Sequence, residues 1–299
     1  MIADNLTEAG SPTAARAPRI DALLAAGERL LAHAGGDAPR LQVELLLAHV
    51  LSESRSYLIA HADASVAPGA ATRFQALLER AATGEPIAYL IGQREFWSLA
   101  LEVTAAVLVP RPETELVVER ALSLIDAPAA RTACDLGTGS GAIALALASE
   151  RPRWHVTATD CSAAALELAR RNARRHGLDQ VEFLHGDWFA PLAGRRFHLI
   201  ASNPPYVAAD DPALTRLRHE PSVALTPGLA GTEALQHIVV EASNYLVAGG
   251  WLVLEHGGGQ AELLARSLQQ HGYVRIRCHR DYGSIERVTE AQWPGDRAA

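Results

Sequence analysis

From Thr132 onward, short runs of β-type residues alternate with segments of helical periodicity, and few folds accept that order. The strand runs fall at 132–136, 154–159, 181–185, 198–202, 251–256 and 274–279, with a short last one at 285–289. Between them lie helical segments at 141–149, at 162–176 closed by Gly177, at 233–246, and at 260–270 closed by Gly272. The alternation predicts an α/β fold, a doubly wound, mostly parallel seven-stranded sheet with helices on its faces. Ligands in such sheets bind outside the carboxyl ends of the strands, so the chemistry is sought where each strand hands over to its loop.

Upstream the pattern differs. Residues 1–18 are polar and rich in Ala, Ser and Thr, and read as a disordered extension. Residues 19–85 carry helical spacing: Leu23, Leu24, Leu30 and Leu31, then Leu41, Val43, Leu45 and Leu46, then Phe74, Leu77 and Leu78, closed by Gly84 with Pro86 beyond. A small helical bundle is expected, either a solubility module or a docking domain for a macromolecular substrate. Residues 86–109 are β-type, from Ile87, Tyr89 and Ile91 through Phe96, Trp97, Leu99 and Leu101, and predict a β-hairpin linker. Residues 110–299 form the sheet domain, where the segment 110–115 leads into a helix over 116–125; Pro112 suits a first helical turn and Glu113 and Glu115 suit the helix dipole.

Composition narrows the classes. Hydrophobic residues make up 48% and charged residues 20%, which suits a globular chain. The net charge of −7 counts against a general duplex binder, whose affinity rests on phosphate neutralisation. The three cysteines, Cys134, Cys161 and Cys278, are odd in number and lack metal-type spacing, so no disulfide framework and no metal site is expected. With no apolar leader and no run of roughly 18 apolar residues, a cytoplasmic location off the membrane is expected.

Two strand ends stand out. The run 132–136 leads into Gly137-Thr138-Gly139-Ser140-Gly141, a glycine-rich turn that opens a helix and lets a ligand approach the backbone. With Ala142 it also meets the loose G-x-G-x-x-G/A dinucleotide pattern, and Asp160 at the next strand end has the spacing of a ribose contact, so a nicotinamide oxidoreductase stays open. Asp135 pulls the other way: a carboxylate beside the turn repels a pyrophosphate and suits a cationic amino group. Asp187-Trp188, after the third strand, offers a carboxylate for an amine edge and an indole for a purine face. The second outstanding end is Asn203-Pro204-Pro205-Tyr206. Two prolines stiffen the loop, the first pushing Asn203 towards an extended conformation. An amide oxygen and a carbonyl there can accept both hydrogens of one planar –NH2 group, with the Tyr206 ring to cover it.

In that order, these residues resemble the class I S-adenosylmethionine-dependent methyltransferases, whose Asn-Pro-Pro-Tyr members methylate planar nitrogens. Four further segments, Gly92-Gln93-Arg94-Glu95-Phe96-Trp97, Pro110-Arg111-Pro112-Glu113-Thr114-Glu115, His219-Glu220-Pro221 and Arg280-Asp281-Tyr282-Gly283, make the chain similar to the HemK/PrmC family. Those enzymes are the peptide chain release factor glutamine N5-methyltransferases. The resemblance spans about residues 20 to 290. It implies a Rossmann-like class I methyltransferase domain with S-adenosylmethionine as cofactor and S-adenosylhomocysteine as product. It implies that Gly137, Thr138, Gly139, Ser140 and Gly141 line the methionine and ribose, that Asp160 accepts from the ribose hydroxyls, and that Asp187 and Trp188 border the adenine. It further implies that Asn203, Pro204, Pro205 and Tyr206 hold the target glutamine of a Gly-Gly-Gln tripeptide. Asn203 and Pro204 would accept its hydrogens beside the cofactor, with Tyr206 completing the catalytic set. Release factors are the implied partners of a monomeric enzyme, with no stable nucleic-acid binding.

Rival functions share parts of this pattern. Ribosomal-protein glutamine methyltransferases are near relatives but differ, as the family pattern goes, in the Arg-Pro-Glu-Thr-Glu segment. An adenine-N6 nucleic-acid methyltransferase suits the same loop, but it needs base flipping and a basic groove. A non-catalytic cofactor-sensing protein would have no need of the complete Asn-Pro-Pro-Tyr loop. Arg170, Arg171, Arg174 and Arg175 read as a solvated helix face. His185 and His256 read as structural histidines, and Trp251 as a core residue opening its strand.

Overall fold

The protein is described from a computed structural model covering residues 17–125 and 129–295. It divides into two compact units between Ile91 and Gly92. Of the expected N-terminal extension, all but Ala17 and Pro18 lies outside the described residues. The Pro18 carbonyl accepts the Val66 N–H at 2.8 Å.

The first unit holds α1 (Ile20–His33), α2 (Pro39–Leu51), α3 (Arg55–Ala60), α4 (Pro68–Ala82) and the short α5 (Ile87–Ile91). Their apolar stripes meet in one core around Leu24, Leu31, Leu46, Leu47, Leu58 and Phe74. Proline opens α2 and α4, where its missing N–H costs nothing, and the Ser54 hydroxyl caps α3 by accepting from Tyr57 N–H at 3.1 Å. Glu44 is buried but paired on both oxygens, with Arg40 and Arg55 each at 2.7 Å.

Here the structure corrects the sequence reading. Ile87–Ile91 is a helical turn and not half of a hairpin. The Pro86 carbonyl accepts from Tyr89 and Leu90 N–H, and Leu90 is buried in the helical core, so tertiary burial overrides the β-type composition. The hairpin is shorter: β1 (Gln93–Phe96) pairs with β2 (Leu99–Glu102) across Trp97 and Ser98. Both turn residues lie in the left-handed region, φ 51° and 59°, as a tight two-residue hairpin turn demands.

The second unit continues through α6 (Glu115–Leu124), β3 (Thr132–Leu136), α7 (Ala142–Glu150), β4 (His155–Asp160), α8 (Ala163–Arg175), β5 (Glu182–His185), β6 (Phe197–Ser202), α9 (Glu233–Ala242), β7 (Leu246–Glu255), α10 (Ala261–Gln270), β8 (Val274–Arg280) and β9 (Glu286–Gln292). The seven-stranded sheet runs β5-β4-β3-β6-β7-β9-β8. Its first four pairings are parallel, and β9 inserts antiparallel between β7 and β8. Successive strand residues point to opposite faces. Ala133, Leu199, Ala201 and Val253 join one apolar cluster with α6 and α7, while Cys134, Ile200, Leu252 and Leu254 join another with α9 and α10.

Trp251 does not open its strand. β7 begins at Leu246 and runs through Gly249 and Gly250, where its pairing with β6 shifts register, and Trp251 is partly buried at mid-strand. Among the described residues no helix is long and apolar enough to cross a membrane.

Candidate active site

The chain leaves β3, builds β4 and β5 outward on one side, and returns to place β6 on the other side of β3. That reversal opens a crevice at the carboxyl ends of β3 and β6. The Ser202 hydroxyl donates to the Leu136 carbonyl at 2.7 Å and fastens the two strand ends together. A cavity of about 410 Å³ lies there, in the range of small-molecule sites, roughly 300–1,000 Å³. Its lining includes Gly137, Thr138, Gly139 and Ser140 from the loop after β3, Asp160 from β4, Asp187 and Trp188 after β5, and Asn203 and Pro205 after β6. Gly141, Pro204 and Tyr206 are not part of that wall.

Asp135 shapes the glycine turn from beneath. Its Oδ2 accepts from the Thr138 hydroxyl at 2.6 Å and from Ala144 N–H at 3.1 Å, at the positive end of α7. Complete burial pushes this carboxyl up to about 7, against the two hydrogen bonds, which lower it. The side chain is wholly buried and outside the cavity wall, contrary to its reading as a hold for a ligand's amino group. A free helix N-terminus and a buried hydroxyl claim its Oδ2, and Oδ1 is buried without a partner. Gly141, at φ 88°, immediately precedes α7, and a Cβ there would lie 3.1 Å from Leu145 Cδ1 and 3.3 Å from Ala169 Cβ. Its contribution is to let α7 sit against α8.

Asp160 closes the loop from the second strand. Oδ2 accepts from Gly139 N–H and Oδ1 from Ser162 N–H, both at 2.8 Å. Burial raises its pKa, and these two bonds pull it back. Each carboxylate oxygen can accept a second hydrogen bond, so two further donors can be held at the cavity wall. Trp188 sits at φ 44°, an outlier for a bulky residue, and a Cβ on Gly137 would approach its ring to 3.4 Å. The indole therefore lies across the glycine turn. Strained backbone of this kind collects at ligand sites.

Asn203 belongs to a hydrogen-bonded set that crosses three segments. Its Nδ2 donates to Thr114 Oγ1 at 3.1 Å, Thr114 Oγ1 donates to Glu255 Oε2 at 2.6 Å, and Tyr206 Oη donates to Glu255 Oε1 at 3.1 Å. Glu255 is fully buried at the end of β7, and burial pushes it up to about 7 while the two hydroxyl bonds and Arg287 lower it. Burial and the Glu255 charge hold the Tyr206 phenol above its ordinary range, so it remains a donor. The Tyr206 ring, expected to cover a substrate, is partly buried against the core formed with α9 and α10, and its hydroxyl finds a partner in Glu255. The loop itself is tied by Val207 N–H to the Leu225 carbonyl at 2.9 Å, and by Gln260 Nε2 to the Tyr206 and Gly231 carbonyls, both at 3.1 Å.

Several supporting residues escaped the sequence reading. Thr114 stands in sequence only as one residue of the segment 110–115, and Glu255 only as a polar residue near the end of an apolar run. Asn172 is fully buried on α8; its Oδ1 accepts Glu102 N–H at 2.7 Å, and its Nδ2 donates to the Glu102 and Ser140 carbonyls at 3.0 and 2.9 Å. It ties the hairpin to the glycine turn, and no spacing rule marks it. His237 and Glu233, on α9, also line the cavity. Glu220, from the His219-Glu220-Pro221 segment, accepts from Val109 N–H at 3.0 Å and pairs with Arg111 at 2.5 Å, and Pro221 and Val223 beyond it line the cavity. Of the basic run, Arg171 pairs in bidentate fashion with Glu102 and Arg170 donates to the Phe183 carbonyl. His256 is buried with Nε2 2.9 Å from Thr289 Oγ1, as a structural histidine should be.

Comparison with known proteins completes the description. Residues 22–92 match the family model of the PrmC N-terminal domain, and residues 114–277 that of the methyltransferase small domain. The chain is 49% identical to the release factor glutamine methyltransferase of Xylella fastidiosa strain 9a5c, over 86% of this chain and 94% of that one. It is 44% identical to the enzyme of the same name from Escherichia coli K12, over 85% of this chain and 92% of that one. A solved methyltransferase from Pyrococcus furiosus, 21% identical, shares the fold with a TM-score of 0.51 over 66% of this chain and 89% of that one. A turn built on Asp135, an Asn-Pro-Pro-Tyr corner beside it, and sequence identity of this order over nearly whole chains together place this protein in the release factor glutamine methyltransferase family.

Proposed function

We propose that this protein transfers a methyl group from S-adenosylmethionine to the side-chain amide nitrogen of the glutamine in the Gly-Gly-Gln tripeptide of a peptide chain release factor, in the cytoplasm. The observation that carries the reading is Asn203: its Nδ2 is engaged by Thr114, and the residue stands at the cavity wall beside the glycine turn. The residues fit the cofactor. Asp160 retains acceptor capacity for a pair of ribose hydroxyls, Trp188 offers an aromatic face, and Asp187 is an exposed carboxylate for an amine edge.

When bound, the cofactor supplies an electrophilic methyl on a sulfonium centre. The chain's task is to make a poor nucleophile serviceable, because the lone pair of an amide nitrogen is delocalised into its carbonyl. In this reading Asn203 Oδ1 and the Pro204 carbonyl accept the two amide hydrogens and favour positive charge building on nitrogen. Hydrogen bonds to a charged species run roughly twice the strength of neutral ones, so these acceptors help more as charge develops. Fixing both reactants in line contributes the rest, up to ~7–11 kcal/mol at best. The proton leaves after transfer.

The test is incubation of purified release factor with the protein and isotopically labelled cofactor, followed by mass spectrometry of the tripeptide region. One added methyl on the glutamine is expected. A release factor left unmodified under conditions where the protein binds the cofactor would overturn the reading.

A further inference from the structure

The hydrogen-bond direction at Thr114 has a consequence for Asn203. A hydroxyl carries one proton. At 2.6 Å the Thr114 proton lies on the shorter of its two bonds, to Glu255 Oε2, and above a pH of about 7, where Glu255 is ionised, that bond is charge-assisted and the stronger one. Towards Asn203 the hydroxyl then offers only lone pairs, so the Asn203 amide must present Nδ2 to it, at 3.1 Å. Oδ1 is thereby turned to the other side of the amide plane. The second Glu255 oxygen is occupied by Tyr206 Oη, at 3.1 Å, so the carboxylate cannot swing away without breaking its bond to a half-buried phenol. Both anchors come from outside the Asn203 loop: Thr114 from the turn before α6, and Glu255 from the end of β7.

We propose that Thr114, held by Glu255, is a positioning residue that sets which end of the Asn203 amide faces the substrate. The proposal rests on the reading of Asn203 Oδ1 as the acceptor for the target amide. With the hydroxyl absent, the Asn203 amide is free to turn over, and the inverted form offers donors where acceptors are needed.

The test uses Thr114→Val, Thr114→Ser, Asn203→Ala and the double variant Thr114→Val/Asn203→Ala, all in the full chain. kcat and KM for release factor methylation are measured with labelled cofactor, and cofactor affinity is measured by calorimetry. Val preserves the branching of Thr and removes only the hydroxyl, so the fold is expected to hold. Loss of one buried polar partner predicts a fall in kcat of about tenfold for Thr114→Val. KM and cofactor affinity stay within about twofold, and Thr114→Ser returns the rate to within about threefold of wild type. The double variant should be no slower than Asn203→Ala alone, because a residue that acts through Asn203 has nothing left to orient. A wild-type rate for Thr114→Val, a failure of serine to rescue, or independent multiplication of the two defects would overturn the proposal. Asn203→Ala separates the levels. If it methylates at the wild-type rate, the acceptor reading fails; if it is slow while Thr114→Val is not, only the positioning role fails.

Discussion

Replacing Asn172 by Leu tests whether a single buried amide holds the hairpin and the glycine turn in register. Across a two-residue turn, antiparallel pairs alternate between bonded and non-bonded, starting from a bonded pair at Phe96 and Leu99. By that count Glu102, opposite Gln93, aims its N–H and carbonyl away from β1, and the Asn172 side chain meets both as a neighbouring strand would. Leucine keeps the branching at Cγ but removes the bonds to Glu102 N–H, the Glu102 carbonyl and the Ser140 carbonyl. A stranded buried group costs about 1–3 kcal/mol. The Glu102 groups are partly reachable by water and belong at the low end, whereas the Ser140 carbonyl is buried. The sum is about 3–5 kcal/mol, a large share of the ~5–15 kcal/mol that holds a typical domain. For a unit of this size that corresponds to a melting temperature lower by ~6–20 °C. All five tryptophans, Trp97, Trp154, Trp188, Trp251 and Trp293, lie in the second unit, so indole fluorescence during urea or thermal unfolding follows that unit alone. Asn172→Asp should be no better, since it keeps the acceptor for Glu102 N–H but faces two carbonyls with negative charge. Cofactor affinity should fall in both variants through the Ser140 contact. An Asn172→Leu protein within 1 kcal/mol of wild type would refute the reasoning.

Further outcomes are expected. Burial raises Asp135 from 3.8 to about 7, so its folded form holds a proton more tightly than the unfolded chain does. Its contribution to stability is therefore fully present at acid pH and is lost as pH rises from about 4 through about 7. Asp135→Asn should remove that dependence, gaining about 2–3 kcal/mol on wild type between roughly pH 5 and pH 8 in denaturant titrations; parallel profiles would sink the assignment. Gly231 lies at φ 72°, and a Cβ there would be 2.7 Å from the Tyr206 carbonyl oxygen and 2.8 Å from the Ala208 nitrogen. Gly231→Ala should push the Asn203 loop out of place and lower kcat ~10–100-fold with cofactor binding retained, as a calorimetric titration beside a rate assay would show. Arg120 pairs with the fully buried Glu290 at 2.9 Å, and Arg120→Met should cost up to about 3 kcal/mol in urea unfolding, because only His279, at 3.0 Å, then stands beside that carboxylate.

Much of this protein is written locally. Strand runs from 132 to 202, each ending in a turn of glycine, aspartate or proline, fixed the α/β class, because periodicity and turn chemistry act over a few residues. The places of residues 137–140, Asp160, Asp187, Trp188 and Asn203 at one cavity wall were legible for the same reason: each stands at a strand end. Where locality failed, a distant contact had decided the outcome. Ile87–Ile91 carries β-type side chains yet coils, since Leu90 finds a helical core to fill. Trp251 heads the regular run of its strand in sequence, yet β7 starts earlier, at Leu246: Gly249 and Gly250 fall where its pairing with β6 shifts register, and they stay in the strand through bonds to Trp293. Asp135 seemed to face a ligand yet supports the turn from below, because the amino end of α7 reaches it first. Asn172 gave no signal, and Thr114 and Glu255 none beyond a place in a motif segment and at the end of a strand run. Their partners lie 70, 89 and 141 residues away along the chain, and only folding makes them neighbours. Sequence alone determined which groups can bind and react; tertiary structure decided how those groups are held, because a side chain's orientation is set by whatever is packed against it.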